Sequence, residues 1–333
     1  MPPIAVDFGG TTLRLACVSS DGRFERFRHL RLGGDAFSRD GAIWDFISAT
    51  IAKYADEAPG APSGTIVVSF PGPLDAAGDA LAAPTVSGPG NRLPDFRREL
   101  AARTRRPVMM LNDVSAAAWY FAERFGAERF AVVTVSSGIG AKTFVRTSAS
   151  PVIDDLPFAG ELGHLVVDWG LEALACECGG RGHLGGIASG RGIERAARLA
   201  AARDPAEFGR SAPATQFGAT LERLENEAHF VPALQLRDPW ALGVLRKATA
   251  PLASVLCALS VGAGLQRIAI MGGFAQHAGH VYLEVLRACF DAALGAGPAH
   301  FDTSEFFYLA DPAETPSLSG AAIFGRSRIA TPR

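Results

Sequence analysis

Residues 3–19 read PIAVDFGGTTLRLACVS, and the fold is decided there. A short apolar run ends at Asp7 and Phe8, the chain turns through Gly9, Gly10, Thr11 and Thr12, and an alternating run follows from Leu13 to Ser19. Two apolar runs around a polar, glycine-bearing turn predict a β-hairpin. The same plan recurs at 130–145, FAVVTVSSGIGAKTFV, where Phe130–Val135 and Ala141–Val145 flank Ser136-Ser137-Gly138-Ile139-Gly140. The repetition predicts two related halves.

Working outward, Phe24–Leu32 alternates and Gly41–Tyr54 has helical spacing. Thr65–Phe70 is β-branched and apolar until Pro71-Gly72-Pro73 stops it. Residues 76–95 are rich in Gly, Pro and Ala and predict a long surface loop. Val108–Leu111 predicts a strand closing on Asn112-Asp113, followed by an alanine-rich helix over Val114–Phe125. Asp204–Phe217 reads as a polar linker and Pro239–Leu265 as a long helix. Gln266–Met271 predicts a buried strand running into Gly272-Gly273, and helices are expected at Val281–Leu294 and Ser319–Ile329. Sheets that alternate with helices in this way predict an α/β fold.

The 333 residues carry 32 Lys plus Arg against 34 Asp plus Glu, a net charge of -2, which excludes recognition of nucleic acid or anionic lipid by bulk charge. No apolar run approaches the roughly 18 residues of a membrane span, and the N-terminus lacks a basic stretch leading into an apolar one, so a cytoplasmic protein with no membrane partner is expected. Five cysteines are too few for a disulfide scaffold in a chain of this length.

Three glycine-bearing turns follow strands: Asp7–Thr12, Ser136–Gly140 and Gly272-Gly273. Glycine admits positive φ and brings backbone N–H groups close to a polyphosphate, and neighbouring hydroxyls can donate to its oxygens. Hairpins need glycine for their own sake, so the repetition carries the argument. Asp7 stands where it could orient a magnesium-bound water. No GxxxxGK[ST] or GxGxxG pattern occurs at these strands, which disfavours a P-loop or a dinucleotide site. Transfer of a phosphoryl group to an alcohol needs a proton acceptor, and Asp113 is the candidate. Asn112 or Asp113 could equally cap the helix that begins near Val114.

His164, Cys176, Cys178 and His183, spaced by 12, 2 and 5 residues among several glycines, suit a closed tetrahedral zinc site with a structural role. Cys17, Cys257 and Cys289 read as buried inert thiols. The arginines at 97, 98, 103, 105 and 106 read as the solvated face of a helix.

Asp7-Phe8-Gly9-Gly10-Thr11-Thr12-Leu13-Arg14 resembles the DxGGTxxR opening of the ROK sugar kinases and repressors. The resemblance continues through Pro71-Gly72-Pro73, Leu111-Asn112-Asp113, Ser137-Gly138-Ile139-Gly140, Glu161-Leu162-Gly163-His164, Cys176-Glu177-Cys178-Gly179, Ala188-Ser189-Gly190 and Gly272-Gly273. It implies an α/β fold of two ribonuclease H-like, actin-like ATPase domains with a cleft between them. The expected division is a smaller domain over 1–112 plus about 312–333, and a larger one over 113–311 carrying the zinc loop. It also implies ATP and Mg2+ as cofactors and a homodimer. By the same resemblance Asp113 is the general base, and Asn91, Asn112, Asp113, Glu161 and His164 bind substrate. Asp7, Gly9, Gly10, Thr11, Thr12, Ser137, Gly138, Gly272 and Gly273 then serve the nucleotide. Without the resemblance, Glu161 reads as a solvated surface residue.

Two positions depart from the family pattern: His183 replaces a third cysteine, and Gly185 replaces a sugar-contacting glutamate. The expected activity is ATP-dependent phosphorylation of the 6-hydroxyl of a hexose such as glucose. The alternatives are an amino sugar (kanosamine, N-acetylmannosamine) or a C7-cyclitol as acceptor, or a non-catalytic sugar-responsive regulator. The family's repressors carry an N-terminal helix-turn-helix, for which a first strand at about Pro3 leaves no room.

Overall fold

Ile4–Phe8 is buried at every position, as a strand covered on both faces requires. It is the centre of the first of two sheets in this computed structural model. The structure describes residues 3–9, 12–19, 22–32, 42–57, 64–75, 77–83, 86, 93, 95–154, 156, 158–170, 172–176, 178–295 and 303–330. The expected site residues Gly10, Thr11 and Asn91 lie outside these.

The chain divides into two units, residues 1–126, 150–159 and 315–333 in the first, and 127–149 and 160–314 in the second. In the first, β1 (Ile4–Phe8), β2 (Thr12–Val18), β3 (Phe24–Arg31), β4 (Ile66–Phe70) and β5 (Val108–Asn112) take the order β3-β2-β1-β4-β5. The two hairpin pairs are antiparallel, whereas β1, β4 and β5 run parallel. Alternation along β1 sends Val6 and Phe8 into one core with Trp44 of α1 (Ala42–Asp56) and Phe96 of α2 (Phe96–Thr104). Ala5 faces the other way, toward Ala116 of α3 (Asp113–Arg124) and Ala321 of the closing helix Pro316–Ala330. The two helices on that side cross so closely that a Cβ on Gly320 would collide with the Ala116 carbonyl. That packing places Asp113–Arg124 in the first unit, where the sequence reading had set a boundary before Asp113.

In the second unit, β6 (Arg129–Val135) and β7 (Ile139–Val145) form the second hairpin, β8 (Arg267–Met271) joins β6 in parallel, and β9 (Phe307–Leu309) joins β8 in parallel. The run β7-β6-β8-β9 repeats the directions of β2-β1-β4-β5. The shared topology is the structural form of the repeat seen in the sequence. Helices α4 (Leu184–Ala188), α5 (Gly190–Arg203), α6 (Pro239–Ala263), α7 (Gly273–Ala278) and α8 (His280–Leu294) are among the helices of this unit. By length and composition α6 could cross a membrane, but Leu245, Leu252 and Leu256 are fully buried in this unit's core.

Three expectations change. The stretch 204–217 is not a bare polar linker: Asp204 caps a helix at Pro205–Phe208, and Phe208 and Ala212 are buried. Arg106 is buried and donates to the Ala55 carbonyl at 2.7 Å, so it does not belong to a solvated helix face. Cys17 is half-buried and accepts a hydrogen bond from the Tyr54 hydroxyl.

Candidate active site

In the first unit the hairpin register pairs Asp7 with Arg14, and the parallel register pairs it with Ser69. Both neighbours use it: Arg14 donates to Oδ2 at 2.8 Å and the buried Ser69 hydroxyl to Oδ1 at 3.1 Å. The Asp7 carboxylate is thereby held in place from both sides. Period two puts it on the same face as Ala5, the face covered by α3. Gly9 and Thr12 close the turn through the Gly9 N–H and the Thr12 carbonyl at 2.8 Å.

The capping question at the start of α3 is decided by geometry. Asn112 has extended backbone, and its Oδ1 accepts from the N–H groups of Val114 at 3.0 Å and Ser115 at 3.3 Å. Its Nδ2 donates to the Gly72 carbonyl at 3.1 Å, which fastens the Pro71-Gly72-Pro73 turn to the helix start. Asn112 caps, and Asp113 Oδ1 shares the Val114 N–H with it, accepting at 2.9 Å. Burial, reinforced by the negative charge of Asp7, pushes the Asp113 carboxyl up to about 7, while bonds from the Val114 and Asp113 N–H groups and from Asn112 pull the other way. A carboxyl poised near neutrality is what general base catalysis asks for.

In the second unit the Ser136–Gly140 turn is closed by the Ser136 N–H donating to the Gly138 carbonyl at 3.0 Å. Ser137 and Gly138 are exposed, and a Cβ on Gly138 would meet nothing within 4 Å. Gly272 has φ +102°, and a side chain there would press on Thr134 Oγ1 and the Val135 backbone at 2.7 Å. Close packing therefore requires glycine at Gly272, whereas the Ser136–Gly140 turn offers bare exposed backbone of the kind that accommodates a polyphosphate.

Glu161 and His164 ride on a short helical turn braced against β7, where Cβ atoms on Gly160 and Gly163 would collide with the Ala141 and Ile139 carbonyls. Their side chains approach to 3.8 Å, between His164 Nε2 and Glu161 Oε2. Gly185 lies against the same turn, its notional Cβ 3.1 Å from the Gly163 carbonyl. The position where the family carries a glutamate thus adjoins Glu161 and His164.

The ligand atoms of His164, Cys176, Cys178 and His183 lie within 4.8 Å of one another, with Cys178 Sγ and His183 Nδ1 3.1 Å apart. A tetrahedral ion with bonds of about 2.0–2.3 Å needs its ligands about 3.3–3.8 Å apart, so the set fits zinc with little movement. The loop is shaped for it: Gly179 and Gly182 have positive φ, and a Cβ on Gly180 would strike the His183 imidazole. Arg195 Nη1 holds the Ala175 carbonyl beside the loop at 2.6 Å.

Sequence reasoning missed Ser69 and gave Arg14 no role. Centring the hairpin on residues 10 and 11 would have paired Arg14 with Asp7, and a lone serine in an apolar strand is a signal for Ser69.

The sequence pattern of the ROK family matches residues 3–327. The chain is 37% identical over 346 residues, covering 99% of it and 95% of the relative, to the C(7)-cyclitol 7-kinase of Streptomyces hygroscopicus subsp. jinggangensis. It is 34% identical over 288 residues, 82% of the chain and 78% of the relative, to the 2-epi-5-epi-valiolone 7-kinase of an Actinoplanes species. A solved ROK family glucokinase from Streptomyces griseus, in complex with glucose and AMPPNP, matches 98% of this chain and 100% of its own, with TM-score 0.77 and 23% identity. That likeness shows the expected α/β, actin-like ATPase fold.

Proposed function

Because the chain belongs to the ROK family, and within it is an ATP-dependent phosphotransferase for a sugar or cyclitol hydroxyl, we propose that its acceptor is the exocyclic primary hydroxyl of a C7-cyclitol. The observation that carries this is the 37% identity to a C(7)-cyclitol 7-kinase over 99% of the chain. It favours the cyclitol among the acceptors weighed from the sequence over the hexose, whose 6-hydroxyl is the chemical counterpart. Gly185 supports the same reading, since it stands where the family pattern has a sugar-contacting glutamate and polar contacts of this kind dominate discrimination.

In this reading Asp113 accepts the proton as the substrate oxygen forms its bond to the terminal phosphorus of ATP and the bond to ADP breaks. Asn112 holds the helix start and the Gly72 turn in place, so that Asp113 has one position, and Glu161 with His164 orients the ring. Asp7 is the residue for a magnesium-bound water, and Gly9, Gly10, Thr11, Thr12, Ser137, Gly138, Gly272 and Gly273 are the seats for ATP. When bound, magnesium and ATP supply the phosphoryl group and neutralise its charge. His164, Cys176, Cys178 and His183 hold a structural zinc, which stiffens the loop carrying His164.

The test is ADP release by purified protein with glucose, kanosamine, N-acetylmannosamine and C7-cyclitols, with the phosphorylated carbon located by NMR. The expected result is a kcat/KM for one C7-cyclitol at least about 100-fold above that for glucose, with phosphate on the exocyclic carbon. Equal or better use of glucose would refute the cyclitol assignment, and turnover with none of them would favour a regulatory protein.

A further inference from the structure

The peptide that joins Asp113 to Val114 is gripped from both of its polar ends. Its N–H donates to Asp113 Oδ1 at 2.9 Å and to Asn112 Oδ1 at 3.0 Å, so the way this peptide faces sets the way the Asp113 carboxylate faces. Its carbonyl accepts from the hydroxyl of Ser317 at 3.1 Å. Ser317 is buried in the first turn of the closing helix Pro316–Ala330. In an α-helix the Asp113 carbonyl already receives a donor from four residues further on, so the Ser317 bond is an addition to the ladder of α3.

The closing helix lies along α3 with its register locked. Gly320 faces Ala116 so closely that a Cβ would collide with the Ala116 carbonyl, Phe324 packs on Trp119 with ring centroids 5.7 Å apart, and Arg326 approaches Glu123 at 3.7 Å. With Ser317 on Asp113, the partners advance in step, so the two helices run parallel. On another side, a Cβ on Gly325 would sit 2.8 Å from Val67 Cγ2 of β4. Packing this close resists a slide of the helix, and it delivers the Ser317 hydroxyl to one peptide. A donor on that carbonyl opposes rotation of the peptide plane and polarises its N–H toward the carboxylate.

We infer that Ser317 is a positioning residue for phosphoryl transfer: by fixing the Asp113–Val114 peptide, it holds the Asp113 carboxylate in the orientation from which it takes the acceptor's proton. The inference rests on Asp113 being the general base and is independent of which acceptor is used. A base turned or displaced by a fraction of an ångström costs rate with little effect on binding.

The experiment is a double-mutant cycle in the full-length protein. Ser317→Ala is made in the wild-type and Asp113→Asn backgrounds, and kcat and both KM values are measured with ATP and a C7-cyclitol, or with glucose if the wild type prefers it. In the wild-type background kcat should fall about tenfold, with both KM values within about twofold. In the Asp113→Asn background the same change should cost less than about twofold, because the group through which Ser317 acts is gone. Unchanged kcat in the wild-type background overturns the inference. So does an equal loss in both backgrounds, which is what a merely structural role gives. If Ser317→Ala does not fold, Ser317→Cys takes its place in the cycle, since the thiol fills the site but donates weakly. Full kcat in Asp113→Asn itself would refute Asp113 as the base, whereas an inactive Asp113→Asn beside a fully active Ser317→Ala refutes this inference alone.

Discussion

Replacing Asp113 with asparagine should cripple phosphoryl transfer and at the same time stabilise the protein above neutral pH. The Asp113 carboxyl is raised from 3.8 to about 7, by burial first and by the Asp7 carboxylate second. The folded state then holds this proton more tightly than the unfolded chain does. Unfolding releases the proton, so stability falls as pH rises from near 4 and levels off above about 7. Between about pH 5.5 and about pH 8 the loss from this group comes to about 2 kcal/mol. Asparagine retains an oxygen for the Val114 N–H, fills the same volume and does not ionise, so the variant escapes that loss. Urea unfolding at the two pH values, wild type against variant, reads the effect as a difference of differences. In the same pair kcat should fall by about 10²–10⁴-fold, and the wild-type kcat should rise with pH through a midpoint near 7. Parallel pH dependence of stability in the two proteins would mean that Asp113 titrates as an ordinary carboxyl, and the reasoning that makes it a tuned base would fail.

Removal of the metal should release about one equivalent of zinc per chain, measurable with a chromogenic chelator, and should lower thermal stability. Cys176→Ala should be isolated without zinc, and full metal retention by it would argue against the four-residue set. Gly272→Ala should raise the KM for ATP by about tenfold or more while leaving the acceptor KM nearly unchanged, because a methyl group there meets Val135 and Thr134 at 2.7 Å. A matched rise in both KM values would point to general distortion. Asn112→Ala should cost about 1 kcal/mol in urea unfolding through the lost cap, and should also reduce kcat because Asp113 is no longer held. Stability loss with full kcat would leave Asn112 as a cap only.

Much of this was legible in the chain because it is local. The hairpin at 3–19 and its echo at 130–145 depend on alternation and on glycine at the turn, both properties of neighbouring residues, and the parallel crossovers to β4 and β8 follow from the intervening helices. The four candidate metal ligands fall within twenty consecutive residues, so their spacing already constrained them to one place. Less was legible where burial decided the outcome. Arg106 reads as solvated by its neighbours, and residues 204–217 look polar until Phe208 and Ala212 find the core.

By itself the sequence determined the α/β class and the two-fold repeat, and it singled out His164, Cys176, Cys178, His183 and Asp113 as candidates, since short-range periodicity and chemical identity suffice for these. Only the tertiary structure decided that Asn112 takes the cap while the Asp113 carboxyl is buried beside the charge of Asp7, and that Asp7 is pinned by strands on both sides. Those outcomes depend on which groups lose water together and which donors face which acceptors. Residues distant along the chain settle that when the sheets and helices close over them.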